Sequence, residues 1–182
     1  MLNLIASDIH GSKGSAQKIL ELDNKYNFKN IYLLGDINYN GARNVPPSDY
    51  SPIDVCKILG NLVSKITFIC GNCDSRVDAF VFKKEFKDIV TFSLNDFKFY
   101  LTHGDLISKD NLKLNDKEIL MYGHTHIYEL TKENNHYFIN PGSISLPKNN
   151  NPRTYIIFDD EKMSFSLYNI EDELIEVLTL EK

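Results

Sequence analysis

Three short apolar runs in the first half of the chain, Leu2 to Ala6, Asn30 to Leu34 and Ile66 to Cys70, each end in a loop holding glycine, aspartate and another polar residue. The loops read SDIHGS, GDINYNG and GNCDS. Short runs without polar alternation fit strands buried on both faces. Helical patterns lie between them. Ala16, Ile19, Leu20 and Tyr26 approximate one apolar stripe. After a loop containing Pro46, Pro47 and Pro52, Ser51 resembles an N-cap, with Pro52 at N1 and Asp54 at N3. Val55, Ile58, Leu59 and Leu62 then recur at i, i+3, i+4 and i+7, which predicts a helix. This order of strands and helices implies a parallel sheet with right-handed crossovers. Ligands of open α/β sheets sit beyond the carboxyl ends of the strands, so the three loops are expected to converge.

The second half changes character. Val90 to Leu94 and Phe97 to Leu101 read as strands around an Asn95-Asp96 hairpin turn, the latter ending in THGD. Ile119 to Tyr122 ends in GHTH. His136 to Ile139, Tyr155 to Phe158 and Ser164 to Tyr168 are also strand-like, punctuated by Gly142 and Pro147. These runs predict a second, largely antiparallel sheet packed on the first. No linker or repeat divides the chain. The expected fold is α/β, two mixed sheets packed as a sandwich flanked by helices, in a single domain over residues 1–182.

Composition narrows the function classes. The 182 residues carry a formal charge of −5, and the lysines are scattered. Affinity for long nucleic acid depends on a basic track, so a nucleic-acid tracking protein is not expected. A small anionic substrate is compatible with acidic balance, because bound cations can be the largest local charges in a site. The N-terminal apolar run is too short for a signal peptide and no window approaches a membrane span, so a soluble, cytoplasmic protein is expected. The three cysteines, Cys56, Cys70 and Cys73, are an odd set without a leader and are expected to be reduced. Cys70 and Cys73 form a lone C-x-x-C, a weak signal for a zinc or redox site.

Four of the five histidines, His10, His103, His124 and His126, sit in glycine-flanked loops at predicted strand ends. Asp8, Asp36, Asn72 and Asp74 occupy the same kind of position. Asp8 and His10 are two apart, as are His124 and His126; on extended backbone that spacing puts both side chains on one side. Aspartate, asparagine and histidine together suit Mn, Fe, Ni or Zn, without the thiolates of a structural zinc site. The candidate ligands exceed what one ion needs. Two ions sharing a carboxylate account for the surplus, and such pairs serve phosphoryl chemistry.

Taken together, Asp8-Ile9-His10, Gly35-Asp36, Gly71-Asn72-Cys73-Asp74, His103-Gly104 and Gly123-His124-Thr125-His126 resemble, in order, the motifs of the calcineurin-like metallophosphoesterase superfamily. SDIHGS, GNCDS, YGHTH, NPGS and the Gly41 to Pro52 loop with Arg43-Asn44 are more similar still to the bacterial YfcE-type phosphodiesterases. The resemblance covers nearly the whole chain. It implies that Asp8, His10 and His126 hold one metal, that Asn72, His103 and His124 hold a second, and that Asp36 bridges. It also implies a phosphoric diester hydrolase with two divalent ions, Mn²⁺ expected first and Fe, Ni or Zn open. A hydroxide between the ions would attack small phosphodiesters in line. Asp36, Asn72, Cys73 and Asp74 are the catalytic candidates, and Arg43 and Asn44 the candidate substrate contacts.

Each residue also has a plainer reading. Asp8 or Asp36 alone could be a helix N-cap, His103 or His124 a buried histidine, Asn72 a turn residue, and Arg43 a solvated charge. His136 belongs to no block and reads as a surface histidine. Asn140, Pro141, Gly142 and Ser143 read as a turn supporting the histidine loop. Cys73 departs from the superfamily pattern, which has histidine after the asparagine. A thiol is a weak donor with a reference pKa of about 8.5 and cannot act as an imidazolium. A general-acid role therefore does not carry over, and Asp74 is expected to orient a neighbour. Two alternatives stay open: a phosphomonoesterase or broad-specificity phosphatase on the same site, and a non-catalytic scaffold such as the retromer subunit of this fold. The expected partner is a small phosphodiester, neither long nucleic acid nor membrane, with a homo-oligomer left open.

Overall fold

β1 (Leu2–Ala6) is apolar except at Asn3, because it lies between two cores. Leu4 and Ala6 face a core shared with the helices, while Ile5 faces a core between two sheets, as the period of two along a strand requires. The structure, a computed structural model, describes residues 1–181. After β1 come α1 (Lys13–Tyr26), β2 (Asn30–Leu33), α2 (Pro52–Gly60), β3 (Ile66–Ile69), α3 (Arg76–Phe82) and β4 (Phe86–Lys87). The second half is β5 (Ile89–Leu94), β6 (Phe97–Thr102), β7 (Glu118–Met121), β8 (Tyr128–Glu133), β9 (His136–Pro141), β10 (Thr154–Asp159), β11 (Ser164–Asn169) and β12 (Leu174–Thr179). One sheet runs β12-β11-β10-β1-β2-β3-β4 and the other β5-β6-β7-β9-β8.

The fold is the expected α/β sandwich of two mixed sheets, with strand membership corrected. β1, β2, β3 and β4 pair in parallel. β10 and β11 do not join the second sheet: β10 pairs antiparallel with β1 and extends the first. β10 is buried over nearly its whole length, which is the signature of a central strand, but apolar run alone does not say which sheet contains it. The second sheet is mixed rather than largely antiparallel, since β6–β7 and β7–β9 are parallel pairs. β4, β8, β12 and α3 escape the apolar pattern because they are very short, polar or on exposed edges.

Ser12 caps α1 by accepting from the Ser15 backbone N–H. Ser51 stands at the N-cap of α2, but its hydroxyl donates to Asp54 at 3.1 Å instead of accepting from the helix. Ile5, Leu34, Phe99, Leu101, Ile119 and Ile139 build the core between the sheets. Truncating Ile5 to alanine there would cost about 2–5 kcal/mol. That core holds the ends of β1, β2, β6 and β7 at one edge of the sandwich, where the polar loops meet. No helix of the described residues is long and apolar enough to cross a membrane.

Candidate metal centre

The loops that leave the strands are laced together by their own backbones. Asp8 N–H donates to Gly35 O at 3.1 Å, His10 N–H to Asp36 O at 2.9 Å and Gly123 N–H to His103 O at 2.9 Å. His124 N–H reaches across the sheets to Asp8 Oδ2 at 3.0 Å. Asp8, His10, Asp36, His124 and His126 all have positive φ, between 49° and 67°. Aspartate and histidine tolerate this left-handed region better than most residues. The conformation turns the chain sharply at each strand end, so that side chains from distant segments point to one place. Gly123 permits the close approach, since an added Cβ would stand 2.9 Å from Asp8 Oδ2.

Two groups of ligand atoms result. In one, Asp8 Oδ1 lies 3.6 Å from His10 Nε2 and 3.3 Å from His126 Nε2. In the other, His103 Nε2 lies 3.2 Å from Asn72 Oδ1 and 3.3 Å from His124 Nδ1. Asp36 Oδ2 stands between them, 3.7 Å from His10 Nε2 and 3.5 Å from His103 Nε2. Asp36 Oδ1 accepts the Cys73 backbone N–H at 2.8 Å. All seven candidate ligands thus meet, and Asp8, His10, Asp36, His103 and His126 are buried.

The donor set fits cations. The Nδ1 atoms of His10, His103 and His126 face the carbonyls of Tyr39, Leu34 and Leu146. A ring whose Nδ1–H is committed to a carbonyl presents Nε2 as a bare lone pair. His10 Nε2 and His126 Nε2 are then two acceptors 3.1 Å apart. Beside them, Asp8 Oδ1 is buried without a hydrogen-bond partner. Converging acceptors without a donor repel one another, and a bound cation removes that conflict. Without one, protons carry the balance. Burial favours a neutral Asp8, but the imidazoles of His10 and His126 beside it prevail and hold the carboxyl well below the carboxylate range. Burial disfavours charge on His103, yet Asp36 beside it prevails and raises the ring to about 9. Burial lowers His124, reinforced by the charge of His103.

The remaining candidates divide by position. Asp74 accepts three backbone N–H groups, from Asp36, Ile37 and Gly71, each at 2.8 Å. It stands behind the Asp36 turn as a support for that ligand. Cys73 comes within ligand reach of His10 and Asp36, and burial together with Asp36 pushes its thiol up to about 12. The thiols of Cys56, Cys70 and Cys73 are all free. Ser143 and Ser145 hydroxyls donate to Asp8 O at 2.8 Å, and the Asn140 amide donates to Gly123 O at 3.0 Å. The turn after β9 therefore holds both ligand loops. His136 is half-buried on β9, away from the ligands, with an unpartnered Nδ1.

A cavity of about 190 Å³ opens over the candidate ligands Asp36, Asn72, His124 and His126, walled by Arg43, Asn44 and Lys148. Asn44 also closes its own loop, its amide donating to Asn40 O at 2.9 Å. Lys148 belongs to none of the sequence motifs. It arrives on the loop between β9 and β10, where its backbone N–H donates to His126 O at 3.1 Å.

Residues 1–163 match the profile of the calcineurin-like phosphoesterase superfamily domain. The chain is 34% identical to phosphodiesterase YfcE of Escherichia coli (strain K12) over 179 residues, covering 96% of each. The solved structure of YfcE, a phosphoesterase from E. coli, superposes over the whole of both chains with a TM-score of 0.94 at 32% identity. The zinc complex of Vps29 from Entamoeba histolytica shares the fold, with a TM-score of 0.65 at 19% identity over the whole of both chains.

Proposed function

The chain belongs to the calcineurin-like phosphoesterase superfamily, and from that membership we propose that it is a metal-dependent phosphodiesterase acting on small phosphodiesters. Residues 1–182 act as one catalytic domain, and the site of action is the cytoplasm. One observation carries the reading: a single carboxylate oxygen, Asp36 Oδ2, faces a histidine nitrogen from each of two ligand groups. Asp8, His10 and His126 would hold one divalent ion, Asn72, His103 and His124 another, and Asp36 both. Oxygen and nitrogen donors without thiolate make Mn²⁺ the first choice. When bound, such a pair supplies Lewis acidity and a hydroxide at neutral pH for in-line attack on phosphorus.

The chain's own residues position and neutralise. Carbonyls of Tyr39, Leu34 and Leu146 fix three imidazoles in the ligating orientation, and Asp74 fixes the Asp36 backbone. Arg43 is placed to donate to a phosphoryl oxygen of a bound ester. Cys73 is a neutral thiol beside the ligands and supplies no proton comparable to that of an imidazolium. Departure of the alcohol must therefore rest on solvent, on the ions or on a leaving group that needs little protonation. This favours singly charged diesters over monoester dianions. The test is a metal-supplemented screen of small phosphodiesters, cyclic nucleotides and phosphomonoesters. Turnover of diesters well above monoesters with matched leaving groups is expected; a monoester preference, or no hydrolysis at all, overturns the proposal.

A further inference from the structure

We propose that Lys148 is a substrate-binding residue that, with Arg43, selects phosphodiesters whose ester group carries a second anionic group. The proposal rests on the phosphodiesterase reading above and extends it to a substrate class. Both cations line the cavity over the ligands. Other cations at the rim are already spent, as Lys109 is on Glu129 at 2.8 Å and Glu133 at 2.7 Å. Among the described residues, neither Arg43 nor Lys148 forms an ion pair, while Lys13, Lys18 and Lys65 all do.

The charge count decides what these two cations are for. The charge of two divalent ions is matched by Asp8, Asp36, a nucleophilic hydroxide and a singly charged diester. The Asp74 carboxylate, held by three backbone N–H groups, adds one negative charge behind the site. Arg43 and Lys148 add two positive charges facing the cavity, so a simple diester leaves one positive charge uncompensated. A further phosphate or carboxylate on the ester group supplies the missing partner.

The second cavity sets the direction. It measures about 640 Å³, shares Arg43, Asn72 and His124 with the first, and carries Asp105 and Asp110 on its wall. An additional anion is repelled there and favoured on the Lys148 side. Lys148 is held on that side by its backbone bond to His126 O, so the ammonium has a fixed root beside a ligand although its side chain is exposed.

The test uses two p-nitrophenyl esters of thymidine 5′-phosphate that differ only in a 3′-phosphate, with the Mn²⁺-loaded protein. We expect wild type to prefer the 3′-phosphorylated ester in kcat/KM by about fivefold or more, a preference that shrinks as salt rises. Lys148→Gln should lose most of that preference and Lys148→Arg should keep it. No preference in wild type, or an unchanged preference in Lys148→Gln, overturns the assignment. If wild type cleaves neither ester, the phosphodiesterase reading fails by itself. Calorimetric binding of thymidine 3′,5′-bisphosphate against the 5′-monophosphate then decides the role of Lys148. Tighter binding of the bisphosphate by wild type but not by Lys148→Gln supports the role, and equal discrimination by both proteins refutes it.

Discussion

Replacing Asp36 by asparagine isolates the charge of the shared ligand at nearly constant shape. The amide oxygen can still accept the Cys73 N–H that Asp36 Oδ1 accepts at 2.8 Å, and the Asp36 backbone stays tied to Asp74 and His10. What is lost is the negative charge at Oδ2, which lies 3.7 Å from His10 Nε2 and 3.5 Å from His103 Nε2. The residue is 2% exposed, so water cannot replace that charge. Removing one partner from a buried, hydrogen-bonded charge interaction costs about 3–5 kcal/mol. That translates into metal binding weaker by roughly 10²- to 10⁴-fold. Because Asp36 faces both ligand groups, both metal equivalents should be affected. Arg43→Ala makes the contrast: Arg43 lines the cavity and is proposed to contact only substrate, so its loss should appear mainly in KM, by about tenfold, with metal content intact. The assay is metal content after equilibrium dialysis against micromolar Mn²⁺, paired with turnover of bis(p-nitrophenyl) phosphate. Near-native metal content and turnover in Asp36→Asn would refute the bridging role.

Two further outcomes follow from the geometry. Cys73→His should raise monoesterase efficiency relative to diesterase efficiency, because an imidazole can be protonated near neutral pH and donate to a phosphate or leaving oxygen. Gly41, at positive φ, packs so closely that its Cβ would stand 2.8 Å from Cys73 Sγ, so the larger ring should also shift the Arg43 loop and raise KM. An unchanged ester ratio in the folded, metal-loaded variant would leave Cys73 a mere space-filler. Metal binding should also release protons. In the metal-free protein burial lowers His103 but Asp36 outweighs it, raising the ring from 6.5 to about 9, and ligation needs the bare nitrogen. Metal affinity should therefore rise with pH between 6.5 and 9. The His103–Asp36 pair's contribution to metal-free stability is fully present below 6.5 and is lost as pH passes through 9. Calorimetric titration at pH 7.5 in buffers of different ionisation enthalpy reads the proton release, and its absence would contradict the pairing.

The parts of the site that the sequence reveals are those under local backbone constraint. Asp8, Asp36, His124 and His126 follow apolar strands closely and adopt positive φ, and glycine directly precedes Asp36 and His124; these demands leave a readable spacing. β1 shows equally well because cores on both faces require a largely apolar run, here Leu4 to Ala6 after Asn3. Lys148 has no such signature. It reaches the cavity from a loop that Ser143, Ser145 and Leu146 tie to Asp8 and His126, and its own link to the site is a backbone hydrogen bond to His126. The placement of β10 beside β1 was likewise hidden, because burial on both faces identifies an interior strand and not its neighbour. β8 and β12 are edge strands with much of their surface in solvent, so packing imposes little alternation on them. α3 was also unreadable: its Val77, Phe80 and Val81 are exposed, which blurs the amphipathic stripe that marks α2.

A two-ion site is proposed to drive phosphodiester hydrolysis. The most direct measurement is diesterase activity of exhaustively chelated protein as Mn²⁺ is returned in known molar ratio. The account predicts negligible turnover without metal, and activity that climbs until two equivalents per chain are bound. Full activity in the metal-free protein would contradict it, as would saturation at a single equivalent.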